Sequence, residues 1–201
     1  MRHVTLTDDV VLLRPPDARD VDAITQACQD PEVAAWVTTP WPYLREHAES
    51  FVERVVAPGW DSGTDLVWSI RDVPDDRFLG MIGLHGIAAG SAEIGYWMAP
   101  WGRGRGLMAR SVALVLDHAF DADGLGLARV SWSAFVGNWP SRRLAWRAGF
   151  RLEGTIRQHV VQRDGIRRDA WVATLLRDDP REPCEPWAAD APADGAAVQP
   201  A

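Results

Sequence analysis

Two short stretches carry residue types whose spacing could do chemistry. In Ala92-Glu93-Ile94-Gly95-Tyr96-Trp97-Met98-Ala99-Pro100-Trp101-Gly102-Arg103-Gly104-Arg105-Gly106-Leu107-Met108, a strand-like run enters a loop with glycine at alternate positions and opens onto an apolar-periodic segment. Glycines let a backbone approach a ligand closely, and the free N–H groups of a first helical turn, at the positive end of its dipole, hold phosphate. The spacing is not G-x-G-x-x-G, and it lacks the G-K-[ST] ending of a P-loop. Taken alone, it is equally a tight strand-to-helix turn with Arg on its surface. The second stretch is Asn138-Trp139-Pro140-Ser141. Ser141 precedes Leu144, Ala145 and Ala148 at helical spacing and shares their inward face, where an ordinary first-turn serine would also sit.

The elements that must position these residues follow from the pattern. Val10-Val11-Leu12-Leu13 reads as a strand ended by Pro15-Pro16. Asp17 or Asp20 can cap a helix through Val21, Ile24 and Cys28, and a second helix fits Tyr43 to Val56 behind Pro42. Leu66 to Arg71, Phe78 to Leu84 and Ala92 to Met98 read as an antiparallel meander. Leu107, Met108, Val112, Val115, Leu116, Ala119 and Phe120 recur at helical spacing, predicting an amphipathic helix from about Arg105 to Phe120. A strand over Arg129 to Phe135 precedes a short helix from Pro140 that stops at Gly149. Leu152 to Val161 and Ile166 to Leu176 form a hairpin through Asp164-Gly165. The sum is a single mixed α/β domain over residues 1–177, with a sheet of about seven strands and about four flanking helices.

Composition bounds the function. All 21 basic residues are Arg, so the chain has no Lys, and its formal charge is −7. Six of the 28 acids, against one Arg, lie beyond Arg177, which leaves the body near neutrality and without a basic stripe for nucleic acid. Residues 178–201 are rich in Pro, Ala and Asp, with Trp187 and Val198 as the only large apolar groups, and are expected to be a disordered tail. Cys28 and Cys184 support neither a disulfide framework nor a metal site. The N-terminus lacks a signal-peptide apolar run and no stretch suits a membrane span, so a cytoplasmic location is expected, with no membrane partner and no metal.

Taken together, the motifs resemble the GNAT superfamily of acyl-CoA N-acyltransferases, and within it the subgroup similar to ribosomal-protein N-terminal acetyltransferases. Ala92 to Trp97 matches the family's fourth strand, and Gly102-Arg103-Gly104-Arg105-Gly106 its pyrophosphate loop, with Trp101 at a position that is commonly Gln or Arg. Asn138 to Ser141 matches the N-x-x-S element, Gly149-Phe150 with Glu153-Gly154 the G-F-x-x-E-G that follows, and Arg168-Asp169 the R-D pair of the last strand. The resemblance implies an acyl-CoA, most simply acetyl-CoA, lying between two splayed strands. Trp97 and Met98 would meet its pantetheine or acyl end, and Arg103, Gly104, Arg105, Gly106, Leu107 and Met108 its phosphates. It implies direct attack by an amine in a ternary complex, with Ser141 donating to the sulfur, Asn138 orienting pantetheine or a water, and Glu93 as the family-matched base. Glu153 and Asp169 are weaker candidates for the base, and His85 and His159 read more simply as surface or hydrogen-bonded histidines. Trp36, Trp41 and Asp169 would help wall the acceptor site.

An α-amine of pKa near 8 loses its proton at pH 7.4 for under about 1 kcal/mol, whereas a Lys amine needs roughly 4 kcal/mol. The absence of an obvious strong base therefore suits an α-amine of a peptide, with a small-molecule amine as the other acceptor class. Two alternatives stay open at this point: a succinyl-CoA or other acyl-CoA donor, and a CoA-binding module without turnover. Oligomeric state is also open, a homodimer included.

Overall fold

Alternating burial along the predicted strands builds one sheet. A computed structural model describes residues 3–192 and 196–198. Its strands are β1 (Leu6–Thr7), β2 (Val11–Arg14), β3 (Leu66–Asp72), β4 (Arg77–Ala88), β5 (Ser91–Met98), β6 (Arg129–Phe135), β7 (Arg151–Val161) and β8 (Arg167–Leu176). They form an eight-stranded sheet in the order β1-β2-β3-β4-β5-β6-β8-β7. The expected count of about seven omitted β1, whose two residues are too few to show a period. The meander is antiparallel from β2 to β5, and β5–β6 is the parallel pair. Every residue of β3 is buried, as befits a strand covered on both faces.

The helices are α1 (Val21–Cys28), α2 (Pro31–Trp36), α3 (Arg45–Phe51), α4 (Ala57–Ser62), α5 (Leu107–Phe120) and α6 (Trp139–Arg147). α2 was not expected; Asp30 caps it by accepting from the Val33 N–H at 2.9 Å, and Pro31 opens its first turn. The helical run expected to end at Val56 continues through Pro58. A π-helical turn, Val52–Val56, carries the chain past the missing N–H, and the run stops at Gly63 with φ 74°. α5 buries Leu107, Val112, Val115, Leu116, Ala119 and Phe120, as its periodicity requires.

Trp60, Trp68 and Trp132 are fully buried, and each indole N–H finds an acceptor: the Val67 carbonyl at 3.0 Å, the Val4 carbonyl at 2.8 Å and Ser141 Oγ at 3.2 Å. Of the tail expected to be disordered, residues 193–195 and 199–201 lie outside the described ones, and Glu185 and Trp187 meet the domain. The Glu185 carbonyl accepts from the Trp146 indole at 2.8 Å, and its carboxylate accepts from the Leu152 N–H on the outer edge of β7 at 3.1 Å. The Trp187 ring packs on Trp146 at 5.2 Å and Trp139 at 6.1 Å. One aromatic ring and one edge-capping carboxylate offset the ordering cost that composition alone suggested would prevail. Among the described residues, no helix is long and apolar enough to cross a membrane.

Candidate active site

The β5–β6 ladder runs only from Ser91–Arg129 to Ile94–Trp132. Beyond it, β5 continues along β4 to the Gly80–Met98 pair, while β6 continues along β8 to Phe135–Ala170. The two strands therefore part, and the β6-facing amides of residues 95–98 have no ladder partner across the gap. A wedge-shaped slot opens through the middle of the sheet.

A cavity lies on each side of this slot. The first, about 470 Å³, is lined by Trp97 and Met98, the loop residues Gly102, Arg103, Gly104 and Gly106, the α5 residues Leu107 and Met108, and Asn138, Ser141, Arg143 and Arg147. Gly104 and Gly106 hold φ of 75° and 72°, a region costly for residues with a Cβ. Gly106 caps α5 without a side-chain bond, so the first-turn amides face the cavity mouth unscreened by a side-chain cap. Unpaired strand amides, a glycine loop at a helix N-terminus and nearby guanidinium groups fit a long ligand with phosphates at one end.

The second cavity, about 440 Å³, has His85, Gly83, Met81, Glu93 and Gly95 from β4 and β5 on its floor, Ser133 and Phe135 from β6, and Trp36, Thr39 and Phe51 above. The cavities share Trp36, Val37, Tyr96, Trp97, Asn138 and Ser141. At this junction the Tyr96 hydroxyl donates to the Ser141 carbonyl at 3.1 Å, and Ser141 Oγ lies 3.4 Å from the same phenol oxygen while accepting from the Trp132 indole at 3.2 Å. Burial pushes the Tyr96 phenol well above its ordinary value, against the opposing pull of its Ser141 and Trp132 neighbours, so it keeps its proton. Asn138 caps α6 by accepting from the Ser141 N–H at 3.3 Å, which fixes the serine at the slot.

Most of the residues expected from sequence converge here, with three exceptions. Arg105 pairs with Asp72 at 2.7 Å and does not line the cavity; Arg143 and Arg147 of α6 stand there instead. Trp41 lies half-exposed beneath the Arg163 guanidinium at 5.2 Å, and exposed Asp169 accepts from the Gln158 N–H at 2.8 Å; neither lines the second cavity. Arg103 does line the first cavity, tied to Asp30 at 2.8 Å and Glu32 at 2.6 Å, which pins the glycine loop to α2. Glu93 lines the second cavity and accepts from Ser133 Oγ at 2.7 Å. Sequence reasoning missed Tyr96 and set His85 aside. Tyr96 stands one residue from Gly95, and Gly83 precedes His85 by two, but only the register between strands shows what these neighbours do.

An open mixed sheet with a parallel pair parted at one end, a glycine loop feeding a helix and a cavity on either side of the gap define an acyl-CoA-dependent acyltransferase. Residues 11–151 match the acetyltransferase (GNAT) domain, and the chain belongs to that family. It is 29% identical over 179 residues to a Bacillus subtilis protein named uncharacterized N-acetyltransferase YoaA, covering 88% of this chain and 98% of the relative. Mycobacterium smegmatis RimJ in complex with CoA-disulfide superposes with a TM-score of 0.75 at 25% identity, over 87% of this chain and 86% of that one. The ribosomal-protein-S5-alanine acetyltransferase of Vibrio fischeri shares the fold, with a TM-score of 0.75 at 18% identity over 90% and 100% of the two chains. The protein is an acyl-CoA-dependent N-acetyltransferase.

Proposed function

We propose that the chain acetylates the α-amine of a peptide or protein N-terminus, and that the Tyr96–Ser141 pair at the junction of the two cavities is where the chemistry occurs. That junction carries the reading: it is the place that both a donor in the first cavity and an amine in the second can reach. When bound, acetyl-CoA supplies an acyl group activated as a thioester. The chain's part is to hold and to move protons. The β6-facing amides of residues 95–98 are aimed at the acyl carbonyl, where donors fixed in advance stabilise negative charge as it develops. Gly104, Gly106 and the α5 N-terminus, with Arg103 and Arg147 at the cavity wall, hold the phosphates. Ser141, backed by the still-protonated Tyr96, donates to the departing sulfur, and Asn138 keeps Ser141 in place. Glu93 receives the arriving ammonium, and Trp36 walls its path.

Two observations narrow the substrates. No Arg lines the second cavity among the described residues, so a succinyl carboxylate would find no guanidinium there, and acetyl is the acyl group that fits. Phe51, Met81 and Phe135 surround a single carboxylate, which suits an amine carried on a compact apolar residue. The same walls would also take a small apolar monoamine. The test is thiol release from acetyl-CoA against peptides with free or blocked N-termini and against phenethylamine. A free-terminus peptide should turn over and its blocked counterpart should not; turnover of phenethylamine alone would move the assignment to small amines. Ser141→Ala and Tyr96→Phe should each lower kcat about 10²-fold, or about 2.7 kcal/mol, with little change in KM for acetyl-CoA. Full turnover in both would remove the pair from the mechanism.

A further inference from the structure

We infer that His85, oriented by Asp65, is the group that takes the proton from the acceptor amine. This rests on the N-acetylation reading of the second cavity and deepens it. His85 and Glu93 stand directly opposite each other on β4 and β5, on one face of the sheet, and both line the second cavity. Two glycines make room for the imidazole. A Cβ at Gly83 would come within 2.8 Å of His85 Nε2, and one at Gly95 within 3.6 Å of the ring. Gly83 and Gly95 are themselves a cross-strand pair, so the ring lies in a bay that larger residues at those positions would crowd.

The two ring nitrogens have different surroundings. Nδ1 is 3.4 Å from Asp65 Oδ1, an oxygen that accepts from the Gly86 N–H at 3.3 Å. Nε2 is the nitrogen over the Gly83 bay in the cavity floor. A carboxylate at one nitrogen selects the tautomer that leaves the lone pair on the other. Gly95, beneath the ring, is two residues from Trp97, about 7 Å along a strand, which puts the imidazole within reach of an amine standing in the cavity beside the open slot. Glu93 is differently placed: the Ser133 hydroxyl already donates to it, and carboxylates as a class are weak bases for an ammonium, whereas imidazoles titrate near neutrality. The titratable or charged groups facing the cavity are His85, Glu93 and Tyr96, with Asp65 behind the ring.

The protons balance. The ammonium gives one proton to His85 Nε2, directly or through a water, and the freed lone pair forms the N–C bond to the thioester carbonyl. As the C–S bond breaks, the nitrogen loses its second proton and the sulfur gains one through the Ser141–Tyr96 side. The imidazolium, with 45% of its side chain exposed, returns its proton to solvent. Products are the amide, the thiol and one released proton, with no oxidant or reductant involved.

The test uses the full chain, acetyl-CoA and a hexapeptide amide beginning with alanine. His85→Gln should lower kcat/KM about 10²-fold at pH 7 and turn the wild-type acid limb into a rate that keeps rising with pH, while CoA affinity stays unchanged. Asp65→Asn should show a smaller loss, confined to kcat. In a spectrum of only five histidines, the His85 imidazole signal, identified by its absence in the Gln variant, should move when the peptide is added to the CoA complex. A wild-type limb retained in His85→Gln, a limb abolished by Glu93→Gln instead, or an imidazole signal indifferent to peptide would each overturn the assignment. A wild type that binds CoA but acetylates no amine would overturn the functional reading along with it.

Discussion

Gly104 contributes only backbone, yet the geometry makes it as informative as any side chain at the site. Nothing lies within 4 Å of a Cβ placed on it, so crowding within the protein would not be the problem; φ of 75° would. Gly104→Val should therefore keep the fold, at a local cost of about 1–2 kcal/mol, while pulling the loop amides out of alignment and losing CoA binding in a calorimetric titration. Undiminished CoA affinity would mean that the loop does not hold the phosphates. At this scale the sequence was legible wherever function is local along the chain. The glycine loop and the Asn138–Ser141 cap are such cases, because one turn of backbone contains all their partners. It was illegible where function depends on register. Tyr96 matters because α6 brings Ser141 to it from 45 residues away, and His85 because Asp65 and Gly95 meet it across strands. The arginines show the same limit: only the fold reveals that Asp72 claims Arg105, that the Arg143 guanidinium lies over Trp187 and that Arg147 lines the cavity.

Among the elements, α6 has the most unusual support. Arg142 lies over the Trp171 ring at 4.5 Å and the Trp139 ring at 5.1 Å, and Arg143 over Trp187 at 5.2 Å. Trp187 thus fastens from outside the helix that presents Ser141 from inside. A fully buried Trp truncated to Ala costs about 3–5 kcal/mol, and half-buried Trp187 should cost about 2 kcal/mol. Trp187→Ala should accordingly lower the urea midpoint and depress kcat through a loosened α6. An unchanged midpoint and rate would show that the strap does not act on the site. Long alternating strands and the 14-residue α5 were readable from periodicity because their apolar faces repeat several times. α2, with six residues, offers only a cap and a proline, and the run through Pro58 depends on a π turn that no periodic pattern announces. Composition averages over residues, whereas one tryptophan in one aromatic niche decides where the described part of the tail, through Trp187, lies.

For the molecule as a whole, pH dependence should be asymmetric. Burial raises the Cys28 thiol from its ordinary 9.0 to about 12, and it also raises the Tyr43 phenol, helped by the neighbouring Cys28. An acid whose value is higher in the fold keeps its proton there while the unfolded chain sheds it. The stabilisation is complete below about pH 9 and declines by about 1.4 kcal/mol per pH unit per group as pH climbs toward the folded value. The urea midpoint should fall between pH 8 and 10.5, less steeply in Cys28→Ala; a flat profile would contradict the burial of these groups. On the acid side, Asp17 is drawn down to about 2, first by its hydrogen bond from Arg19, so its smaller, solvent-screened contribution fades as pH drops below 4. The parted seam between β5 and β6 has a consequence for the life of the protein itself. A donor that spans that seam stabilises the folded chain as well as reacting on it. At a hundredfold excess over its Kd it adds about 2.7 kcal/mol against unfolding, enough to change the unfolded fraction exposed to proteases about a hundredfold. The abundance of this enzyme in a cell would then follow the supply of its acyl donor, with its degradation fastest when that supply is low.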